Sequence, residues 1–330
     1  MVKPKIRIIA CADNFHFIKD LIPELSGEFD IKTVKLHKGI TKFEWYDICA
    51  DMKSADILWL EWADGESLEI LKRSWGEVGY ENVKIILRLH RYELFTPRTL
   101  EGLSRLDTHS IDKIDKLVFV SKAVQAIGID KFPWMSDSVV IPNLIDHTKF
   151  PFTDRERGFN IMMLGRMSYV KNLPLALAMF NELAKIGPYQ LHIVGGISDP
   201  EIEYYLENFI RKTIGFNIHY HGVINNDELP EFMKDMNYIL SSSIFESFGM
   251  GILEAMCCGL KPVVFDFPGA ENIFPEYWRW INYEDFESII TGSYNPIDYH
   301  NFVCGDYSIK NNIHLYKELV NSVLNKEGEA

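Results

Sequence analysis

The 330-residue chain is long for one hydrophobic core and suits two domains of ordinary size. Its 47% hydrophobic and 13% aromatic content excludes a disordered chain. The formal charge of −13 sits mostly in the second half: residues 1–150 carry 21 Lys and Arg against 23 Asp and Glu, and residues 151–330 carry 13 against 24. That balance argues against a broad phosphate-backbone footprint and disfavours nucleic acid as a partner, while leaving room for a local basic groove in the first half.

Five cysteines (Cys11, Cys49, Cys257, Cys258, Cys304) show no C-x-x-C spacing, so a reducing, cytoplasmic compartment is expected. The apolar run KIRIIACA is strand-length and ends at Asp13, unlike a secretory segment, and no run approaches the roughly 20 apolar residues of a membrane span. Peripheral contact with the inner membrane face stays open.

In chain order, strand-like runs are expected at Lys5–Ala12, Asp30–Leu36, Asp56–Trp62, Lys84–Leu89, Lys116–Ser121 and Ser138–Leu144. Helical patterns lie between them at Phe17–Leu25, Phe43–Ser54, Glu66–Val78, Arg98–Leu106 and Lys122–Ile129. A polar, proline-containing stretch, His147–Gly158, reads as a linker. The alternation then restarts, with strands at Asn160–Leu164, Gln190–Val194, Ile218–His221, Tyr238–Ser241, Pro262–Asp266 and Trp278–Ile281. Helices follow at Leu173–Ile186, Pro200–Thr213, Glu228–Met236, Gly251–Cys258 and Ile309–Leu324. Such alternation predicts an α/β protein of two doubly wound, Rossmann-like domains facing across a cleft. Residues 1–150 and 151–310 form the two domains, and a final helix (311–330) returns to the first. Ligands of open α/β sheets bind beyond the carboxyl ends of the strands. The dinucleotide fingerprint is missing after the first strand, where Asp13-Asn14-Phe15-His16-Phe17 stands, which weakens a nicotinamide oxidoreductase reading.

Chemistry concentrates in YILSSSIFESFGMGILEAMCCGLKPVVFD (Tyr238–Asp266). The helix from Gly251 is apolar nearly all round except for Glu254, a carboxylate that needs a partner or a ligand. Gly249 and Gly251 let backbone amides approach a ligand at the helix start. Glu246, in the preceding loop, supplies a second carboxylate able to address another part of one extended ligand. Leu164-Gly165-Arg166 followed by Lys171-Asn172 puts two cations at a strand end of an acidic domain, where they either grip a diphosphate or stand in solvent. His219 and His221 share one face of a strand but lack a third ligand at suitable spacing, so no metal is expected. Lys32, Lys35 and Lys38 read as a solvated edge.

Glu246-x(7)-Glu254 within FESFGMGILEAMCCGLKPVV resembles the signature of retaining glycosyltransferases of family four, which have the GT-B fold. VFVSKAVQ (Val118–Gln125), VVIPNLID (Val139–Asp146), LGRMSYVKN (Leu164–Asn172), LHIVGG (Leu191–Gly196) and the run Ile218–Ser243 extend the resemblance from about Leu117 to Ile273. It implies transfer of a sugar from a UDP- or GDP-sugar to an acceptor hydroxyl, with retention, without a metal or other cofactor. Arg166 and Lys171 would hold the diphosphate, Glu254 the ribose and Glu246 a donor-sugar hydroxyl. The backbone of Phe248, Gly249 and Met250 would donate to sugar or phosphate, with Gly165 beside them and the base against Gly222-Val223-Ile224. His90, just past a strand end, would face the reacting sugar. Asn14, Phe15, Trp62, Arg88 and Arg91 are expected near the acceptor, which could be a glycan, a lipid-linked sugar, a small molecule or another hydroxyl compound. Two departures stand out: Leu144 replaces the usual glycine after Pro142-Asn143, and the glycine-rich loop after the first strand is absent. A catalytically silent binding subunit, or an epimerase or phosphorylase on the same fold, are the alternatives.

Overall fold

The computed structural model describes residues 2–11, 14–37, 42–73, 82–212 and 217–325. The chain forms two compact units: one takes the residues up to Leu144 together with the chain from Asn312 on, and the other is Ile145–Asn311. The boundary falls before the expected linker because Ile145 and Phe150 already belong to the second unit's core, and Ile145 bridges to Ser308.

The first unit holds β1 (Lys5–Cys11), β2 (Asp30–Leu36), β3 (Ile57–Leu60), β4 (Lys84–Leu89), β5 (Lys116–Phe119) and β6 (Ser138–Val140) in one parallel sheet ordered β2-β1-β3-β4-β5-β6. Strands buried on both faces read as continuous apolar runs, as Ile57–Leu60 does. The order reverses direction between β1 and β3, which makes their carboxyl ends the switch point.

The second unit holds β7 (Asn160–Leu164), β8 (Gln190–Val194), β9 (Ile218–Gly222), β10 (Tyr238–Ser241), β11 (Lys261–Phe265) and β12 (Arg279–Trp280), also parallel, ordered β12-β11-β10-β7-β8-β9. Here the switch point lies between β7 and β10, so the loops carrying Gly165-Arg166 and Ser242–Glu246 emerge side by side.

Local chemistry accounts for where the sequence expectations moved. Pro23 removes a backbone donor, so the expected helix Phe17–Leu25 shrinks to Ile22–Leu25 after a run of turns. Besides the short Arg91–Phe95 and Thr108–Ile111, two longer helices escaped the sequence reading, Tyr283–Thr291 and Pro296–Asp306. The first is capped by Asn282, whose side chain accepts from the Asp285 amide at 2.9 Å, and the second starts on a proline after Asn295. Both starts were signalled by Asn-x-x-Asp and Asn-Pro. Ala12, Asp13, Lys38, residues 74–78 of the expected helix Glu66–Val78, and Thr213 lie outside the described residues. None of the described helices is long and apolar enough to cross a membrane.

Candidate functional site

The second unit's switch point is built by three connections. Gly195 (φ +129) and Gly165 (φ +131) run so close that a Cβ on Gly195 would lie 1.9 Å from the Gly165 carbonyl oxygen. The amides of Gly165, Met167 and Gly195 donate to Val194, Gly196 and Gly222, stitching the ends of β7, β8 and β9 together. The Ser242 hydroxyl donates to the Lys171 carbonyl at 2.8 Å, and the Ile244 amide to Val170, tying the loop after β10 to the loop after β7. Asn172 turns the chain in the left-handed region (φ 48), where it precedes the helix Leu173–Leu183; it is the one non-glycine with positive φ among the described residues.

That scaffold delivers Lys171 Nζ to 2.6 Å from Glu246 Oε1, and the Ser243 hydroxyl donates to the same oxygen at 2.6 Å. Both side chains are partly exposed, at 24% and 15%. Arg166 is exposed and has no ion-pair partner among the described residues. A cavity of about 420 Å³ opens beside it, lined by Gly165, Arg166, Gly195, Gly196, Val223 and Ile224 among others. Lys171, Glu246 and Glu254 do not line that cavity. Val223 is 76% exposed, an apolar side chain presented at the cavity rim.

Gly249 (φ 81) caps the helix Met250–Cys257, whose apolar residues Ile252, Leu253, Ala255, Met256 and Cys257 are buried. A Cβ on Gly251 would touch the Leu164 side chain at 3.3 Å, so the helix start abuts the end of β7. Glu254 is half-buried, on the one helix face not given to the core. The helix ends in a Schellman turn: the Leu260 amide donates to Ala255, the Gly259 amide to Met256, and Gly259 is left-handed (φ 89).

The first unit's switch point is of another kind. Arg88 is fully buried; its Nη1 donates to Glu61 Oε1 at 2.8 Å, and its Nη2 to Asn143 Oδ1 and to the Tyr316 hydroxyl. Trp59 Nε1 donates to the other Glu61 oxygen at 3.0 Å. Burial alone would push the Glu61 carboxyl up, but Arg88, His90 and Trp59 outweigh it and hold it below its usual range. The expectation that Arg88 faces an acceptor is therefore corrected: its guanidinium is committed inside the unit. Phe15 and Trp62 are each only 7% exposed. The Trp62 indole donates to the Asn14 carbonyl at 2.8 Å and stacks on His90 at 4.2 Å between ring centres. They back the loop rather than present a free ring face, a second correction. Asn14 and Arg91 are half-exposed, Arg91 at the start of the helix Arg91–Phe95.

His90 is 1% exposed. Burial lowers its pKa to about 4, so the imidazole is neutral at neutral pH. Nε2 lies 3.4 Å from Glu61 Oε1, long for a hydrogen bond, and neither ring nitrogen has a hydrogen-bond partner among the described residues. The Glu93 carboxylate accepts from the amides of His90 and Ala63, yet burial pushes its pKa up to about 8.

Sequence reasoning missed Glu61, Asn143 and Tyr316 as partners; the signal for Glu61 was a carboxylate inside the apolar run LWLEW. It also missed His192, which pairs with His221 at 3.0 Å between ring nitrogens and stacks on His219, giving the β9 histidines a structural partner. Among the described residues one group with metal-ligand spacing appears, Cys11, Asp64 and Glu66, all half-buried. Its thiol is pushed up to about 11, by burial first and then by the two carboxylates.

Residues 146–280 match the family model described as Glycosyl transferases group 1. One component of the human phosphatidylinositol N-acetylglucosaminyltransferase is 29% identical over 147 residues, 42% of this chain and 28% of that protein. Mannosylfructose-phosphate synthase from Agrobacterium fabrum is 29% identical over 143 residues, 38% of this chain and 32% of that protein. The matched stretch thus spans about a third of these relatives' own length. Among solved structures, Anabaena HepE in complex with UDP and glucose superposes with a TM-score of 0.77 at 13% identity, covering 97% of this chain and 100% of that one. Sucrose-phosphate synthase from Thermosynechococcus elongatus gives 0.71 at 12% identity, over 98% and 100%. The architecture is that of the GT-B glycosyltransferases. Residues 146–280 are thus similar to the group 1 glycosyl transferases, and the named relatives are themselves a glycosyltransferase component and a synthase.

Proposed function

We propose that the chain is a retaining glycosyltransferase that moves a sugar from a nucleotide diphosphate donor to an acceptor hydroxyl. The observation that carries this is the Lys171–Glu246 pair at 2.6 Å, set beside Arg166 at the sheet's switch point. A cation pair next to close-running glycine backbone suits a diphosphate, and a carboxylate held by Lys171 and Ser243 suits sugar hydroxyls.

Arg166 and Lys171 stabilise the charge that develops on the departing diphosphate, the task a metal performs elsewhere, and no metal or other cofactor is needed. The amides at Phe248, Gly249 and Met250 add the positive end of the helix Met250–Cys257. Glu254 accepts the ribose hydroxyls, and the base lies against Gly222-Val223-Ile224 at the cavity rim. Glu246 binds a hydroxyl of the donor sugar. His90, 1% exposed and stacked on Phe17 and Trp62, is left out of the donor contacts. With no nucleophile committed to a covalent intermediate, the departing phosphate oxygen takes the acceptor proton on the face it leaves, which retains configuration. The UDP in the HepE structure favours a UDP-sugar over a GDP-sugar. The acceptor is a glycan, lipid-linked or small hydroxyl compound, in glycan or glycoconjugate synthesis on the cytoplasmic side, with peripheral membrane contact if the acceptor is a lipid.

The test is a panel of UDP- and GDP-sugars, read by nucleotide release and by thermal protection of the protein. Protection by one nucleotide sugar, weakened in Lys171→Met, is expected. A protein indifferent to every nucleotide and nucleotide sugar would sink the reading.

A further inference from the structure

Within the second unit, outside the residues assigned to the donor, two thiols and an imidazole come together where the helix Met250–Cys257 meets the helix Pro296–Asp306. His300 Nδ1 lies 2.7 Å from the Cys257 carbonyl oxygen. A carbonyl can only accept, so Nδ1 carries the proton and the neutral ring turns a bare lone pair outward at Nε2. That nitrogen sits 3.3 Å from Cys304 Sγ, one helical turn along the same face. The second thiol, Cys257, is fully buried on the helix Met250–Cys257, its own carbonyl holding the ring that faces Cys304, and the two sulphurs interact.

We propose that Cys304 is a peroxide-sensitive thiol, activated by His300 and resolved by Cys257 into a disulfide that ties the helix Pro296–Asp306 to the helix bearing Glu254.

The side-chain interaction with Cys257 lowers the Cys304 thiol most; burial opposes, and the imidazoles of His300 and His147 lower it further, to about 6. Cys257 moves the other way, held protonated by the same interaction, by burial and by the nearby Glu254 carboxylate. The half-exposed sulphur facing the His300 lone pair is the reactive thiol and the fully buried one the reserve, the division a sensing and a resolving cysteine need. Cys304 is half-exposed, so a small oxidant can reach it. In the first step the Cys304 thiolate attacks one oxygen of hydrogen peroxide and the O–O bond breaks. The leaving hydroxide takes the proton that His300 accepted from the thiol, giving water and Cys304 sulfenic acid. In the second step the Cys257 sulphur attacks the sulfenic sulphur, its proton leaves with the hydroxyl as water, and the S–S bond closes. Two electrons pass from the two thiols to the peroxide.

The protein is treated at pH 7 with hydrogen peroxide, digested without reductant and mapped by mass. A link between the peptides carrying Cys257 and Cys304 is expected, reversed by dithiothreitol, absent in Cys304→Ser and retained in Cys258→Ala. In Cys257→Ala the sulfenic acid persists and is trapped by dimedone at Cys304. Without any variant, iodoacetamide should label Cys304 at least about 10-fold faster than the equally half-exposed Cys11 at pH 7, with a half-maximal rate near pH 6. His300→Gln should reduce that advantage. Equal labelling of Cys304 and Cys11, a bridge to Cys258 instead, or five free thiols after peroxide would each overturn the proposal. All these readouts are independent of sugar transfer, so they stand or fall apart from the functional reading.

Discussion

At the strand ends of the first unit, charges are closed inside the protein: Arg88 and Glu61 are both fully buried, 2.8 Å apart, with Asn143, Trp59 and Tyr316 completing their shells. At the strand ends of the second unit the cations stay reachable, Arg166 exposed and Lys171 partly so, and the scaffold beneath them is glycine backbone. A buried pair is held by geometry that cannot relax without leaving an uncompensated charge. An accessible pair can exchange one partner for a ligand. The same doubly wound architecture thus holds a closed pair in one unit and an accessible pair in the other. This is why charge near a strand end is a poor guide to binding until its burial is known.

Removing one side of the closed pair is expected to have the largest effect. Arg88→Met strands the Glu61 carboxylate and should cost about 3–5 kcal/mol of stability, read as a lowered denaturant midpoint. Donor affinity measured well below the melting range should stay within twofold of the parent. If Arg88→Met weakened donor binding selectively and left stability intact, the closed pair would be a site and the contrast between the units would fail.

Next comes Glu246→Gln, which keeps shape and hydrogen bonding but removes the charge that Lys171 and Ser243 hold. Transfer should fall about 100-fold, the loss typical of one preorganised polar group at a reacting centre, with little change in thermal midpoint. A destabilised protein with unchanged turnover would mark the pair as structural, like its counterpart in the first unit.

Lys171→Met should weaken nucleotide-diphosphate binding about 10-fold, the scale of one charge-assisted contact at a partly exposed site. The parent's affinity should fall with added salt and the variant's should fall less steeply, since one ionic contact is gone. Equal salt slopes would move the phosphate contact elsewhere.

Glu246, Glu254, Arg166 and Lys171 could be picked out because each stands out locally: a carboxylate on an apolar helix, cations in an acidic half, glycines where backbone must come close. Their placement at one switch point follows from strand order, which parallel alternation already implied. The first unit's network was harder to see. Arg88, Glu61, Asn143 and Tyr316 come from four separate stretches, Arg88 and Tyr316 lying 228 positions apart, and only packing reveals that they share one hydrogen-bonded shell. Arg88 looked like a ligand group because sequence shows a charge at a strand end but not the Glu61 beneath it. Trp62 looked like a stacking platform for the same reason, its indole proton and ring face being taken by Asn14 and His90. The helices Tyr283–Thr291 and Pro296–Asp306 were legible from their caps, and the Cys257–His300–Cys304 cluster could not be seen without the second of them.

The smallest expected effect separates the units by acid stability. Burial lowers His90 in the first unit and His192 in the second to about 4 from an ordinary 6.5. Between those values the unfolded chain binds protons that the folded chain refuses, so each histidine makes stability rise with pH and be lost as pH falls from about 6.5 toward 4. Glu93, pushed up to about 8 by burial, works in the opposite sense, its contribution present at low pH and lost as pH rises from about 4.5 through 8. The measurement is therefore the difference between variant and parent in denaturant unfolding at pH 7 and pH 5. His90→Gln should shrink the acid loss by more than His192→Gln, because His90 is enclosed beside Arg88 while His192 lies partly open next to the exposed His221. Equal reductions would mean that the first unit's strand ends admit water as freely as the second's.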